Sequence, residues 1–286
     1  MRIRAVHRTV YRYDQPVYLE PHIMRLRPRP DPAIEVLRFE FQVVPGSGPR
    51  FHLDAEGNAV AACVFPDLTR ELCVSAETEI RTHARDPFDF LLDDGAVALP
   101  VTYAGVEALA LAPYRRRRAA GGVDAVATLA ASVRAAEGPR TVPFVAALCR
   151  AIFARVSYAR REHGAARTAA LTLARGEGAC RDQAVLLVDA LRAEGLAARF
   201  VSGYLADDDR PDATDLHAWT EVYLPGAGWR GFDPSRGVAT GERYVPLAAS
   251  ATAEGTAPIK GSYRGSARCA FDVSLTIESE SESEAT

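Results

Sequence analysis

A cysteine, a histidine and an aspartate follow one another in the C-terminal half of this 286-residue chain with the chemistry of a nucleophilic site. Cys180 ends the glycine-rich stretch Gly176-Glu-Gly-Ala-Cys and directly precedes a helical pattern, so we expect it at a helix N-terminus. The positive end of a helix dipole and a nearby imidazolium both stabilise a thiolate. The N–H groups at such a helix start could also hold an oxyanion. Cys180 is therefore the candidate nucleophile.

A histidine and an aspartate downstream could complete this site. Strand alternation puts four residues on one face: His217, Trp219, Glu221 and Tyr223. The next predicted strand runs from Gly228 to Asp233 and follows a tight turn, so Asp233 could pair with His217 across the hairpin. A carboxylate there would orient the imidazole and stabilise its charged form. The alternatives are that His217 is an ordinary core histidine and that Asp233 is only a turn residue before Pro234.

Helices and strands of clear periodicity surround these residues. An apolar stripe from Val142 to Val156 predicts one helix, and a second stripe follows Cys180 and ends at Gly195. A strand is predicted over Ala198 to Leu205, and period-two alternation predicts a final strand from Phe271 to Ile277. The first eighty or so residues also alternate and indicate a small antiparallel β unit. The helix that begins at Cys180 should therefore lie beside the strands that carry His217 and Asp233.

Composition excludes several other classes of protein. The chain is 48% hydrophobic, which suits one large or two ordinary domains. The net charge is −3, but four glutamates lie in the last nine residues, so the body is near neutral and nucleic acid is not an expected partner. No run of eighteen apolar residues appears, and we expect a cytoplasmic protein without a membrane anchor. The five scattered cysteines suggest neither a disulfide framework nor a metal site, and no cofactor is implied.

These segments resemble the bacterial transglutaminase-like proteins, whose core shares its layout with papain-like cysteine peptidases. The matching segments are GEGACRDQAVLLVDALRAEGLAARFVSGYL from Gly176 to Leu205 and DLHAWTEVYLPGAGWRGFDPSRG from Asp215 to Gly237. The cysteine, histidine and aspartate occur in the family's order. The N-terminal stretch is similar to the β-rich region found ahead of this core, in His7-Arg-Thr, Tyr11-Arg-Tyr, Leu26-Arg-Pro-Arg and Asp54 to Asn58. Such a motif is convincing only if its structural context agrees.

The resemblance implies an α+β protein with an N-terminal antiparallel β domain and a papain-like core in which the cysteine helix packs on an antiparallel sheet. The expected division is a β-rich domain over 1–84, a connecting segment over 85–122, the transglutaminase-like core over 123–277 and a disordered acidic tail over 278–286. Calcium is not implied, because no acidic loop resembles a calcium site.

The implied reaction is acyl transfer on a carboxamide or peptide bond of a protein or peptide substrate, with Cys180, His217 and Asp233 as the catalytic residues. Hydrolysis and transamidation stay equally open. Trp219, Tyr204, Arg181 and Gln183 are expected at the substrate cleft. Arg181, Gln183 and Arg236 depart from the family's usual residues, so a relative's substrate is not transferred to this chain. The alternative is a peptide-binding module that keeps the cleft without turnover.

Overall fold

The structure, a computed structural model, describes residues 1–46, 48–83, 86–117, 124–161, 164–206 and 216–281. The expected domain boundaries at 84/85 and 122/123 lie outside these residues, as does the tail beyond Ser281. The predicted α+β class, with an N-terminal antiparallel sheet and a transglutaminase-like core, is confirmed.

The N-terminal unit is built from long strands that are buried on one face. Its strands are β1 (Arg2–Leu19), β2 (His22–Met24), β3 (Ile34–Val44), β4 (Arg50–Leu53), β5 (Ala59–Cys63) and β6 (Leu68–Thr82). β1 lies between β6 on one side and C-terminal strands on the other, and β3 pairs with β6. Buried and exposed side chains alternate along β6, so one face of this sheet covers a hydrophobic core.

The helices form the outer layer of the C-terminal core. They are α1 (Gly105–Ala110), α2 (Ala112–Arg115), α3 (Ala125–Glu137), α4 (Thr141–Arg155), α5 (Ala169–Arg175) and α6 (Cys180–Ala193). Phe144, Leu148 and Ile152 lie on the apolar stripe of α4 and are fully buried. Within the described ranges, no helix combines the length and the hydropathy needed to cross a membrane.

A five-stranded antiparallel sheet forms the centre of the core. Its strands are β9 (Ala198–Leu205), β10 (His217–Leu224), β11 (Gly228–Asp233), β12 (Val238–Ala239) and β13 (Tyr244–Ser250). The remaining strands, outside this sheet, are β7 (Ser157–Tyr158), β8 (Glu177–Gly178), β14 (Ile259–Lys260), β15 (Tyr263–Arg264) and β16 (Cys269–Glu280). The order of the sheet is β12-β11-β10-β9-β13. Helix α6 packs on β9 and β10, so Cys180 and His217 lie on facing layers.

The last strand differs from the sequence interpretation. β16 pairs along β1, from Arg2 opposite Glu280 to Tyr13 opposite Cys269, so it belongs to the N-terminal sheet rather than to the core. It also extends through Glu280, into the segment expected to be a disordered tail. Alternation shows that a strand is half buried but not which strand it joins. On this exposed edge Glu278 forms an ion pair with Arg4 at 3.1 Å, which makes the tail's charge compatible with a strand.

Part of the expected connecting segment contributes to the core. Leu99, Val101 and Leu111 are buried in the same cluster as the helices. The hydroxyl of Tyr103 donates to the carbonyl of Tyr223 at 3.0 Å. Prolines and charges hid this packing, because the segment has no sustained period for a sequence pattern to detect.

Two buried polar contacts join the N-terminal unit to the core sheet. The side-chain amide of Asn58 donates to the carbonyl of Ala249 at 3.0 Å and accepts from its N–H at 2.8 Å. Asn58 thereby hydrogen-bonds β13 as a neighbouring strand would. Elsewhere in the interface the hydroxyl of Tyr204 lies 3.4 Å from Nδ1 of His7. The core sheet is consequently covered on both faces, by helices and by the N-terminal unit.

Candidate active site

Cys180 is the first residue of α6, as predicted. Gly176, with a φ of 63°, ends α5 in the left-handed conformation, and the parallel pairing of β7 with β8 then directs the chain toward the new helix. The side chain of Cys180 is 7% exposed. Its backbone N–H has no hydrogen-bond acceptor among the described residues. A thiol and a helix-start donor are therefore available at one point.

His217 and Asp233 meet as the hairpin geometry predicts. β10 and β11 pair with Thr220 opposite Phe232, which brings the first residue of β10 close to the last residue of β11. Nε2 of His217 donates to Oδ2 of Asp233 at 2.7 Å. The thiol of Cys180 lies close enough to the same imidazole to help raise its pKa. The structure thus brings together all three residues that the sequence selected.

Two residues that the sequence analysis missed hold the carboxylate of Asp233. The N–H and the hydroxyl of Ser235 both donate to Oδ1, at 2.9 and 2.7 Å. The hydroxyl of Tyr244 donates to Oδ2 at 2.9 Å. Asp233 is completely buried, so these donors replace the water that the charge would otherwise need. Ser235 could have been found as the residue that closes an Asx turn before β12, whereas Tyr244 carries no local signal.

The charges of the pair are set by burial and by these hydrogen bonds. Burial would lower the pKa of His217, but the bonds to Asp233 and Cys180 outweigh it and raise that pKa to about 10. Burial would likewise raise the pKa of Asp233, but the donors from His217, Ser235 and Tyr244 hold it below its usual range. Near neutral pH His217 is therefore an imidazolium and Asp233 a carboxylate.

Trp219 supports the histidine from behind. Its ring stacks on the imidazole of His217 with centroids 6.4 Å apart, and it packs edge-on against Tyr244 at 5.4 Å. A Cβ at Gly203 would lie only 2.6 Å from the indole and 2.1 Å from the carbonyl of Val245, so this close packing requires glycine. Trp219 is 1% exposed and forms the back wall of the site rather than an open cleft.

The other residues expected at the cleft lie in different surroundings. Tyr204 does not line the site: its ring is fully buried against the N-terminal unit. Gln183 is also buried, and its Nε2 donates to the carbonyl of Gly178 at 3.3 Å. Arg181 is partly exposed next to the nucleophile, and its guanidinium donates to the carbonyl of Arg161 at 2.7 Å. Of the four, only Arg181 is both beside Cys180 and solvent-accessible.

Within the described part of the chain, no cluster of three or more histidine, cysteine or acidic side chains could hold a metal ion. The charged groups at the site are instead satisfied by one another and by neutral donors.

A helix-borne cysteine that faces a histidine and an aspartate on an antiparallel sheet is the arrangement of the papain-like fold. The transglutaminase-like superfamily core matches residues 127–234, which include all three residues. The bacterial transglutaminase-like N-terminal region matches residues 3–81. Together these matches cover well over half of the chain. The chain therefore belongs to the bacterial transglutaminase-like family.

Two mycobacterial proteins are similar in sequence to this chain, over different lengths. The uncharacterized protein ML0607 of Mycobacterium leprae is 25% identical over 287 residues, covering 97% of this chain and 98% of its own. The uncharacterized protein Rv2569c of Mycobacterium tuberculosis is 37% identical over 114 residues, which are 35% of this chain and 36% of that relative. The second match therefore spans about a third of each protein.

A solved structure shows the same fold over almost the full length. A protein described as a candidate cysteine protease from Cytophaga hutchinsonii superposes with a TM-score of 0.74 at 18% identity, covering 99% of this chain and 92% of its own. At this identity the likeness concerns the fold, including the placement of the N-terminal sheet against the core.

Proposed function

We propose that the protein is a cysteine-dependent acyltransferase or hydrolase that acts on carboxamide or peptide bonds through a thioester. One observation carries this proposal: the imidazole of His217 lies between the thiol of Cys180 and the carboxylate of Asp233 in a buried site. A charged imidazole beside a thiol at a helix start favours the thiolate.

The reaction follows from the positions of these groups. The Cys180 thiolate attacks the carbonyl carbon. The oxyanion that forms accepts a hydrogen bond from the Cys180 N–H at the start of α6. The C–N bond breaks as His217 gives its proton to the departing amine, which leaves a thioester. Water or an amine then attacks the thioester, His217 removes its proton, and Cys180 leaves as a thiolate, which restores the thiolate–imidazolium pair. Asp233 keeps the imidazole oriented through both steps.

Iodoacetamide labelling of the free cysteines tests the nucleophile without a known substrate. Cys269 is solvent-exposed, whereas Cys180 is 7% exposed. If accessibility alone decided the rate, Cys269 would react first. Although Cys269 is exposed as a residue, partial desolvation of its thiol raises the pKa of that group, so little of its thiolate forms near neutral pH. We expect Cys180 to be alkylated first at pH 7, read out for each cysteine by peptide mass spectrometry.

The matched variants are Cys180→Ala and Cys269→Ala. Once a substrate is found by profiling peptides for released ammonia and for new chain ends separately, Cys180→Ala should lower turnover by roughly 10⁴-fold. Cys269→Ala should leave turnover unchanged. Slow and equal labelling of both cysteines would instead support the non-catalytic peptide-binding module, and turnover by Cys180→Ala at the wild-type rate would exclude this nucleophile.

A further inference from the structure

A buried acidic residue lies two positions after the nucleophile. Asp182 is in the first turn of α6 and has no exposed surface. It is not in contact with His217 or Asp233 in any of the described hydrogen bonds, so the proposed chemistry does not use it directly. A carboxylate in this place needs partners, because an unpaired buried charge is costly.

The carboxylate of Asp182 joins three segments of the chain. Oδ2 accepts the N–H of Ala179 at 3.0 Å, immediately before the nucleophile. Oδ1 accepts the N–H of Arg167 at 2.8 Å. Nη1 of Arg161 lies 3.2 Å from both oxygens, and the same guanidinium donates to the carbonyl of Ala165. The start of α6 is thereby tied to Arg161 and Arg167.

The hydrogen bonds of Asp182 occupy one backbone N–H at the start of α6 and leave the next one available to donate to an oxyanion. The Ala179 N–H is occupied by Asp182, whereas the Cys180 N–H meets no acceptor in the described ranges. Fixing the peptide of Ala179 also fixes the backbone from which the Cys180 side chain projects. The carboxylate therefore determines where both the thiol and the oxyanion donor point.

A glycine makes this close approach possible. A Cβ on Gly178 would lie 2.9 Å from Cβ of Asp182 and 3.2 Å from Cγ2 of Thr172. Gly178 has no positive φ, so its role is space and not backbone conformation. Any side chain here would push Asp182 away from the Ala179 N–H.

We propose that Asp182 is a positioning residue that, with Arg161 and Gly178, holds the nucleophile and its oxyanion donor toward His217. This inference rests on the proposed function of Cys180. Asp182→Asn keeps the shape and one acceptor oxygen but loses the charge and the second acceptor. A 1 Å displacement of a reacting group can cost on the order of 100-fold, so turnover should fall about 10- to 100-fold.

The test is the rate of Cys180 alkylation by iodoacetamide as a function of pH, with the melting temperature measured on the same samples. Loss of the Asp182 charge would by itself favour the Cys180 thiolate and move the profile to lower pH. For Asp182→Asn we nevertheless expect the profile to move to higher pH, with alkylation at pH 6 slowed by roughly tenfold, because the displaced thiol lies farther from the imidazolium of His217. The matched control is Asp189→Asn. Asp189 is on the same helix and forms an ion pair with Arg117 at 2.9 Å, away from the nucleophile. Asp189→Asn should lower the melting temperature without shifting the pH profile of Cys180 alkylation.

Gly178→Ala provides a second route to the same displacement without removing a polar group. It decides the question if Asp182→Asn does not fold. A folded Asp182 or Gly178 variant whose alkylation profile superimposes on the wild type would overturn the inference, as would an equal displacement by Asp189→Asn. The proposed function fails in a different way: wild-type Cys180 would then show no preferential labelling at all.

Discussion

His7, which is buried, and His217, which is half-buried, both lie on β-strands and both hydrogen-bond to neighbouring side chains, yet their pKa values shift in opposite directions. Burial lowers the pKa of His7 to about 4. Its partners are neutral: the hydroxyl of Thr9 lies 3.3 Å from Nε2 and that of Tyr204 lies 3.4 Å from Nδ1. His217 has the carboxylate of Asp233 at 2.7 Å instead. The charge of the partner, and not burial, accounts for the opposite shifts of the two pKa values.

Asp233→Asn should produce the largest change, because it gives His217 a neutral partner like those of His7. We expect the pKa of His217 to fall from about 10, although Cys180 continues to raise it. Turnover should drop by up to about 10⁴-fold, and Cys180 alkylation should move to higher pH. NMR titration of the imidazole signals measures the pKa of His217, and a stopped assay measures turnover.

The pH dependence of stability checks the same substitution. His217 binds its proton more tightly in the folded state than in the unfolded state. Its contribution to the free energy of unfolding is therefore fully present below pH 6.5 and is lost as pH rises through about 10. Urea unfolding at pH 7 and pH 9.5 should show this loss in the wild type and not in Asp233→Asn. If the two proteins lose stability equally, the aspartate does not hold the imidazolium.

His7→Gln should produce an intermediate change, confined to acid. The folded pKa of His7 is about 4, so the protein is stabilised above pH 6.5 and loses that stability as pH falls toward 4. The difference between the ordinary pKa of 6.5 and the folded value of about 4 corresponds to roughly 3 kcal/mol of unfolding free energy, at 1.36 kcal/mol per pKa unit. Unfolding free energies at pH 7 and pH 4.5 should therefore differ less in His7→Gln than in the wild type. Equal differences would show that His7 is not kept neutral.

Tyr244→Phe should produce the smallest change. The phenyl ring keeps the packing on His217 and Trp219, but Asp233 loses one donor and keeps those of Ser235 and His217. Because the Tyr244 hydrogen bond lowers the pKa of Asp233, its removal should raise that pKa. The acid limb of the pH–rate profile should move to higher pH, with turnover at pH 7 within about tenfold of the wild type. An unmoved acid limb would separate Tyr244 from the function of Asp233.

The site was more predictable from the sequence than its surroundings were. Helix periodicity placed Cys180 at a helix start, and a short hairpin required Asp233 to come near His217. Both inferences depend on neighbours in the sequence, and such local geometry is well specified by pattern. Tyr244, which completes the site, comes from a strand that joins the sheet beyond β9, and no local pattern indicates that placement.

Tyr204 shows why the remaining cleft residues could not be placed. All but the last residue of β9 are buried, because helices cover one face of this strand and the N-terminal unit covers the other. Alternation distinguishes an apolar face from a solvated one, and a strand that is buried on both faces gives no such contrast. The side on which Tyr204 lies therefore depended on a domain contact with residues nearly two hundred positions away.

The pairing of β1 with β16 has a consequence for biosynthesis. β1 leaves the ribosome before the core does, but its partner from Cys269 to Glu280 follows only after the whole core has been made. Until then β1 can pair with β6 alone, and its other edge presents unpaired N–H and C=O groups. Residues up to Ser250 suffice to assemble the core sheet around Cys180. The core can thus be complete while the sheet made before it still has an open edge that is exposed to aggregation.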